Sequence, residues 1–389
     1  MNIANPALLF ALVWGAVLYL HSLKLLIILE PINHLTIILV VSNIIINFLL
    51  FFTLKVVSPY YYKKSVHYKC GLDAQLILLD KFLEKLFRVW CFGSVINILY
   101  SGGIPLYWMI AGVGKDYTNY GIPSFGGFIQ AINVFLAVSY FILYFYKRER
   151  KYLYFFIVQL FWPILVVSRG NFTYMLLEIV GAYLMINRGK IRSIFYLITV
   201  FIVFIYLFGV IGDFRFGIER SLAFKQGVLS QEYVSLAEYL PSGLLYVYMY
   251  VTTPINNVVY NIVNLNPNYL PYSSSVYLFP TVIRTILFKG GGPTYGLVSE
   301  TFNTVTFYSG YLVDFGINFT ILIVTLIQFV VIILYLNAMR GKLSYIIAYS
   351  VAFQCVALSI FSDNFTMNMS IFQILIALYF GKVCRQSVN

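Results

Sequence analysis

"HLTIILVVSNIIINFLLFFTL", residues 34–54, runs for twenty-one positions without an Asp, Glu, Lys or Arg. At 1.5 Å per residue, a helix of that length spans about 30 Å, the thickness of a bilayer's hydrocarbon core. Working outward, further apolar runs lie at about 5–20, 83–100, 126–146, 152–168, 172–187, 193–211, 313–337, 343–361 and 366–381. Together they predict ten spans. The composition agrees, with 61% hydrophobic residues, 10% charged residues and a mean hydropathy of +0.84; a soluble domain carries about 25% charged residues. The expected fold is therefore all-α and polytopic, residues 1–389 forming one integral membrane domain.

The formal charge of +12 would suit a nucleic-acid partner, but its distribution excludes one. Lys and Arg gather between apolar runs, at Lys63-Lys64, 147–151, 188–192, 340–342 and 382–385. With the amino terminus inside, eighteen Lys and Arg fall on the inner side and three (Lys24, Lys115, Arg169) in the short outer loops, as the positive-inside rule requires. The opening stretch "MNIANPALLFALVWGAVLYLHSLK" lacks a basic leader and a small-residue cleavage site, so it reads as an uncleaved first span. Cys70, Cys91, Cys355 and Cys384 form no visible exported disulfide pair, and His21, His34 and His67 are scattered without metal-ligand spacing. No metal or other cofactor is expected.

Residues 212–312 break the rhythm as one large outer segment with five basic and five acidic residues. Its middle, "YLPSGLLYVYMYVTTPINNVVYNIVN" (239–264), is apolar, yet Pro241, Pro254 and the pair Asn256-Asn257 argue against a clean span. A re-entrant or interfacial helix pair is expected, since irregular backbone at membrane depth needs protein or a wet cavity around it. Loops of this length are commonly functional.

Three constellations face that side. "VVSRGNFTYMLLEIV" (166–180) sets Arg169 at the hinge between two spans, followed by Gly170 and Asn171. A planar guanidinium beside free helix-start amides suits a phosphate or pyrophosphate; the alternative is an arginine snorkelling to the interface. Glu178, two turns beyond Asn171, reads as a buried carboxylate facing a partner. "IGDFRFGIER" (211–220) offers Arg215 and Arg220, either as further cations for a diphosphate or as surface pairs with Asp213 and Glu219. "SETFNTVTFYSGYLVDFGINF" (299–319) lines up Glu300, Asn303, Tyr308, Tyr311 and Asp314, which could serve a sugar as base and hydrogen-bonding groups or simply cap a helix. "FKGGGPTYG" (288–296) and "SDNFTMNM" (362–369) read as turns.

The order of these features resembles the oligosaccharide repeat-unit polymerases, the Wzy-type O-antigen and capsule polymerases. The likeness rests on "SRG" opening a span, "GDFR" after the next one, "YMYVTTPINN" with Tyr250, and "FNTVTFYSGYLVDFG" leading into the following span. It implies a GT-C-like membrane architecture and a metal-independent, inverting glycosyltransferase in the bacterial cytoplasmic membrane, its site facing the periplasm. The donor would be a glycan on undecaprenyl pyrophosphate and the acceptor a lipid-linked repeat unit; membrane lipid and a chain-length regulator would be its partners. Arg169 and Arg215 would hold pyrophosphate, with Arg220 or Arg284 behind them, and Asn303 and Tyr250 would contact substrate. The outer segment contains no histidine, unlike the related ligases, so the base falls to Asp314 or Glu300. O-antigen ligase and lipid-linked oligosaccharide flippase are the competing readings.

Overall fold

A backbone crossing hydrocarbon must satisfy its own hydrogen bonds, and the apolar runs do so as helices. The structure, a computed structural model, describes residues 4–63, 71–187, 218–264, 266–288, 295–298 and 304–387, with isolated positions between 199 and 213. Its α-helices are α1 (Pro6–Ser22), α2 (His34–Lys63), α3 (Leu72–Ser101), α4 (Pro105–Ala111), α5 (Phe125–Lys147), α6 (Arg150–Leu165), α7 (Arg169–Asn187), α8 (Ile218–Val228), α9 (Ser242–Asn264), α10 (Thr281–Leu287), α11 (Tyr308–Met339), α12 (Leu343–Ala357) and α13 (Asn368–Gln386). Among the described residues, extended pairing is confined to one bridge between Leu26 and Leu229.

Among the described residues, four stretches are long and apolar enough to cross a membrane: His34–Tyr60, Leu72–Ala111, Phe125–Lys147 and Tyr308–Met339. The shorter α1 and α12 are also apolar. Nine of the ten expected runs coincide with helices, and the run 193–211 lies largely outside the described residues. Polar residues dilute α7 and α13: Arg169, Asn171 and Glu178 in the first, Gln373, Lys382 and Arg385 in the second.

Helix α12 is the hub. Nearly every residue from Leu343 to Val356 is buried, and α7, α13, α11 and α1 surround it, as expected for a helix that is apolar all round. Helix α5 is a second interior helix, packed by α6, α3, α7 and α13. Helices α2, α3 and α11 instead present exposed apolar stripes, such as Ile45, Leu49, Phe52 and Val56 on α2 and Leu322, Leu326, Phe329 and Ile333 on α11. A water-soluble monomer would cover such stripes with protein; here lipid would cover them.

One feature of the 212–312 segment differs from expectation. Residues 242–264 form one unbroken helix, α9, through Pro254, rather than an interrupted pair. Its polar groups are spent on neighbouring backbone. Asn256 Nδ2 donates to Ile28 O at 2.7 Å, Asn257 Nδ2 to Thr304 O at 2.7 Å and Asn261 Nδ2 to Gly296 O at 3.0 Å. The asparagines that argued against a helix thus stitch the surrounding loops to it. Helix α11, by contrast, is broken at Gly316, with φ 75° and ψ −177°. That backbone geometry is essentially reserved for glycine, and it sets the first two turns of α11 apart from the long apolar portion.

The helices define two ends. A basic end gathers residues 147–151, 340–342 and 382–385, and there Leu343 N–H ties the start of α12 to α3 by donating to Gln75 Oε1 at 3.0 Å. The other end joins the last turn of α3, the starts of α5 and α11, the α6–α7 turn and the turn 358–367, and it holds a cavity.

Candidate functional site

The cavity measures about 840 Å3. Its walls come from the 117–124 loop with the start of α5, the α6–α7 turn with the start of α7, and Thr281 at the start of α10.

The α6–α7 turn is built tightly. Pro163 in α6 keeps its carbonyl, which accepts Ser168 N–H at 2.8 Å, while Val167 N–H donates to Ile164 O at 3.1 Å. Val167 takes φ 55°, an unfavourable conformation for a β-branched residue. Helix α7 begins immediately after, and its first amide donating back to the turn is Phe172 N–H, to Ser168 O at 3.2 Å. The N–H groups of Arg169, Gly170 and Asn171 therefore stand at the cavity as the unsatisfied donors of a helix start, on the positive end of a 19-residue helix. Arg169 is exposed and lines the cavity. Its guanidinium makes no ion pair or hydrogen bond with a described residue.

The facing wall is the loop "KDYTNYGIPSFGG" (115–127). Gly121 N–H donates to Ser101 Oγ at 2.8 Å and Ile122 N–H to Asn97 Oδ1 at 3.0 Å, pinning the loop to the last turns of α3. Ser124, with φ 68° and ψ −52°, centres a tight turn in which Phe125 N–H donates to Pro123 O at 2.9 Å, the rare and strained form of the γ-turn. Its hydroxyl accepts Val282 N–H at 3.1 Å, which ties α10 to the cavity rim. Two lining side chains hold buried atoms without a hydrogen-bond partner, Tyr120 Oη and Gln130 Oε1. Burial pushes the Tyr120 hydroxyl up to about 12, so it stays a neutral donor. Strained backbone and unpaired polar atoms on both walls mark a place whose geometry serves something other than stability.

Beyond Thr281, a polar-aromatic path leads away from the cavity. The Arg284 guanidinium sits 5.4 Å from the Tyr277 ring centre, and burial, with Tyr277 and Asp363 nearby, pushes the Tyr295 hydroxyl up. Asp363 occupies the turn between α12 and α13 and is partly exposed. It accepts Tyr311 Oη–H at 2.7 Å, Thr366 Oγ1–H at 2.8 Å and Phe365 N–H at 3.0 Å. Burial raises its carboxyl to about 6, against the pull of those hydrogen bonds. That turn leads into α13, where Phe372 meets Phe128 of α5 with ring centres 4.8 Å apart. Tyr250 reaches the same turn from α9, its ring 6.2 Å from that of Phe361.

The expected residues fare unequally. Arg169 lies in the cavity wall, Arg284 one turn beyond its rim, and Tyr250 on the Asp363 turn. Asp314 is fully buried. It accepts Ser273 N–H at 3.0 Å, Ser274 N–H at 2.8 Å and the Ser274 hydroxyl at 2.6 Å, so it holds the 270s loop against α11. Arg215, Glu300 and Asn303 lie outside the described residues, and Arg220 is described only as part of α8. Glu178 is buried facing α13, where the Gln373 amide, turned to satisfy both groups, donates to its two oxygens at 2.9 and 3.1 Å.

Asp363, Tyr120 and the 117–124 loop were missed by sequence reasoning, which took "SDNFTMNM" for a turn and the loop for a connection. The signal for the loop was the length of the connection between α3 and α5, 23 residues of which α4 takes seven, well beyond an ordinary helix–helix connection. Among the described residues no cluster of three or more His, Cys, Asp or Glu could hold a metal ion. Comparison with protein-family models, curated proteins and solved structures gives no match to this chain.

Proposed function

We propose that the chain is a membrane-embedded, inverting glycosyltransferase of the repeat-unit polymerase type. In this reading the ten spans expected from the sequence form a GT-C-like membrane domain, and the cavity opens on the exported face of a bacterial cytoplasmic membrane. The observation that carries it is Arg169, unpaired and beside three free helix-start amides in the wall of an 840 Å3 cavity. This is the equipment for a phosphate-bearing group.

The donor's pyrophosphate sits against Arg169 and the start of α7, and its sugars lie along Tyr117, Asn119 and Tyr120. The acceptor's hydroxyl oxygen attacks the anomeric carbon, forming the new glycosidic bond with inversion. The bond from that carbon to the pyrophosphate oxygen breaks, and undecaprenyl pyrophosphate leaves with the electron pair, its developing charge met by Arg169. The acceptor proton passes to a carboxylate. Asp363 suits that step better than Asp314, because it is partly exposed and has a carboxyl near the pH of use.

Deleting the gene in its host and resolving the surface glycan by gel electrophoresis tests the reading. The expected pattern is core carrying one repeat unit and no ladder. Bare core would point to a ligase or a flippase and overturn the proposal.

A further inference from the structure

The basic end holds a second, smaller hollow of about 180 Å3 between the α11–α12 turn and the last turns of α13, lined by Lys342, Ser344, Tyr345, Leu378, Gly381 and Arg385. It is independent of the cavity at the other end and of the reaction proposed there.

The hollow is equipped with donors. Ser344 is only 5% exposed, yet its hydroxyl makes no hydrogen bond with a described residue. It is the second residue of α12, a 15-residue helix whose positive end faces the hollow. Around it the helix-start amides are already engaged: Leu343 N–H donates to Gln75 Oε1, and Tyr345 and Ile346 N–H both turn back to Lys342 O at 3.0 Å. Ser344 N–H has no such partner. Gly381 leaves the room in front of it, since a Cβ there would stand 2.7 Å from the Ser344 hydroxyl oxygen.

Charge points the same way. Lys342 lies with Nζ 5.3 Å from the Tyr345 ring centre, and burial, then the nearby charges of Arg340 and Arg385, lower its pKa. The Gly381 carbonyl accepts from Arg385 Nε at 3.4 Å, which turns the guanidinium toward the hollow's edge. No acidic residue lines the space. Half-buried Lys342 and exposed Arg385, brought together at the edge of one hollow, repel one another unless an anion joins them. The volume equals about six waters at ~30 Å3 each, enough for one phosphate group and little more. Leu378 supplies an apolar edge where an acyl chain could leave.

We infer that this hollow binds the phosphate of an anionic lipid headgroup, held by Lys342, Arg385 and the Ser344 hydroxyl and amide at the start of α12. The recognised chemistry, a phosphate oxyanion, is shared by free phosphate, so the test separates the two sources. Delipidated full-length protein in detergent is examined by native mass spectrometry with dioleoyl phosphatidylglycerol, with dioleoyl phosphatidylcholine and with inorganic phosphate. One phosphatidylglycerol retained per chain, with phosphatidylcholine lost, is the expected result. The Lys342→Gln/Arg385→Gln double variant should weaken retention roughly tenfold or more. Ser344→Asp, which puts a carboxylate in the recess without removing a core group, should abolish retention in protein whose helical circular dichroism is unchanged. Equal retention of both lipids, or retention that survives Ser344→Asp and the double variant alike, overturns the site. Inorganic phosphate that binds alone and displaces phosphatidylglycerol overturns the lipid as its occupant.

Discussion

Two corners of the helix bundle, the Asp80 corner within the basic end and the cavity corner at the other end, use the same residue types to opposite effect. At the basic end, where α3, α5 and α6 meet, charge is matched. Asp80 takes Lys151 Nζ at 3.5 Å, Lys147 Nζ at 3.7 Å and the Tyr152 hydroxyl at 2.8 Å, and Lys147 also donates to that hydroxyl at 3.0 Å. At the cavity end, Arg169 meets no carboxylate among the described residues. The backbone around it is strained at Val167 and Ser124, and Tyr120 and Gln130 bury atoms without partners. A corner built for cohesion pairs its charges, and a corner built to receive a ligand leaves them open.

That contrast can be broken most directly at Arg169. Arg169→Ala should reduce glycan chain growth by about 100-fold or more, the cost of removing a donor from a developing anion. Arg169→Lys, which keeps the charge but not the planar fork, should retain partial growth. Ladder length on a gel, with membrane accumulation measured in parallel, checks both; a normal ladder from Arg169→Ala would make the cavity end as ordinary as the basic one.

Asp363→Asn comes next. Growth should fall by about 100-fold, the lower range for losing a general base, and in the wild type it should decline as pH drops through about 6. The sign for stability is the reverse. Because the folded carboxyl binds its proton more tightly than the unfolded one, stability is greatest below the unfolded value and is lost as pH rises through about 6. At pH 7 the variant, with a neutral amide in place of the carboxylate, should therefore melt slightly higher than the wild type while losing activity, a trade that a purely structural aspartate would not show.

Asp314→Ala gives an effect of another kind. It strands Ser273 and Ser274 N–H in the interior, and about 1–3 kcal/mol of stability should go with each lost acceptor. Thermal unfolding in detergent should show the loss, whereas Asp314→Asn, retaining one acceptor, should lose less. The smallest effect belongs to Lys151→Ala. Its side chain is 52% exposed, so stability should change by less than about 0.5 kcal/mol. A large loss there would mean that the basic corner, too, depends on individual charges.

What was legible in the sequence follows from how each signal is carried. Hydrophobic length is local, and the helices over 34–63, 125–147 and 308–339 appear where the apolar runs lie. Arg169 was legible because an arginine and a glycine between two apolar runs are conspicuous in one dimension. Helix α9 was misread because Pro254, Asn256 and Asn257 look like helix breakers until the asparagines' backbone partners, Ile28 and Thr304 in two distant loops, are seen. The hydrogen bonds of Asp314 were invisible for the same reason, since its three donors lie about forty residues upstream. Asp363 hid in an eight-residue polar turn, and its significance depends on Tyr311, fifty-two positions away.

By itself the sequence determined the solvent of this protein: the free energy of moving apolar side chains out of water sums along the chain and needs no knowledge of neighbours. It also determined which end of the bundle is basic, because charge, too, can be counted residue by residue. Only the tertiary structure decided which polar residues are committed and which are open. A hydrogen bond joins groups from separate elements, so the difference between Asp314, satisfied in the interior, and Arg169, waiting at a cavity, exists only once the helices are packed.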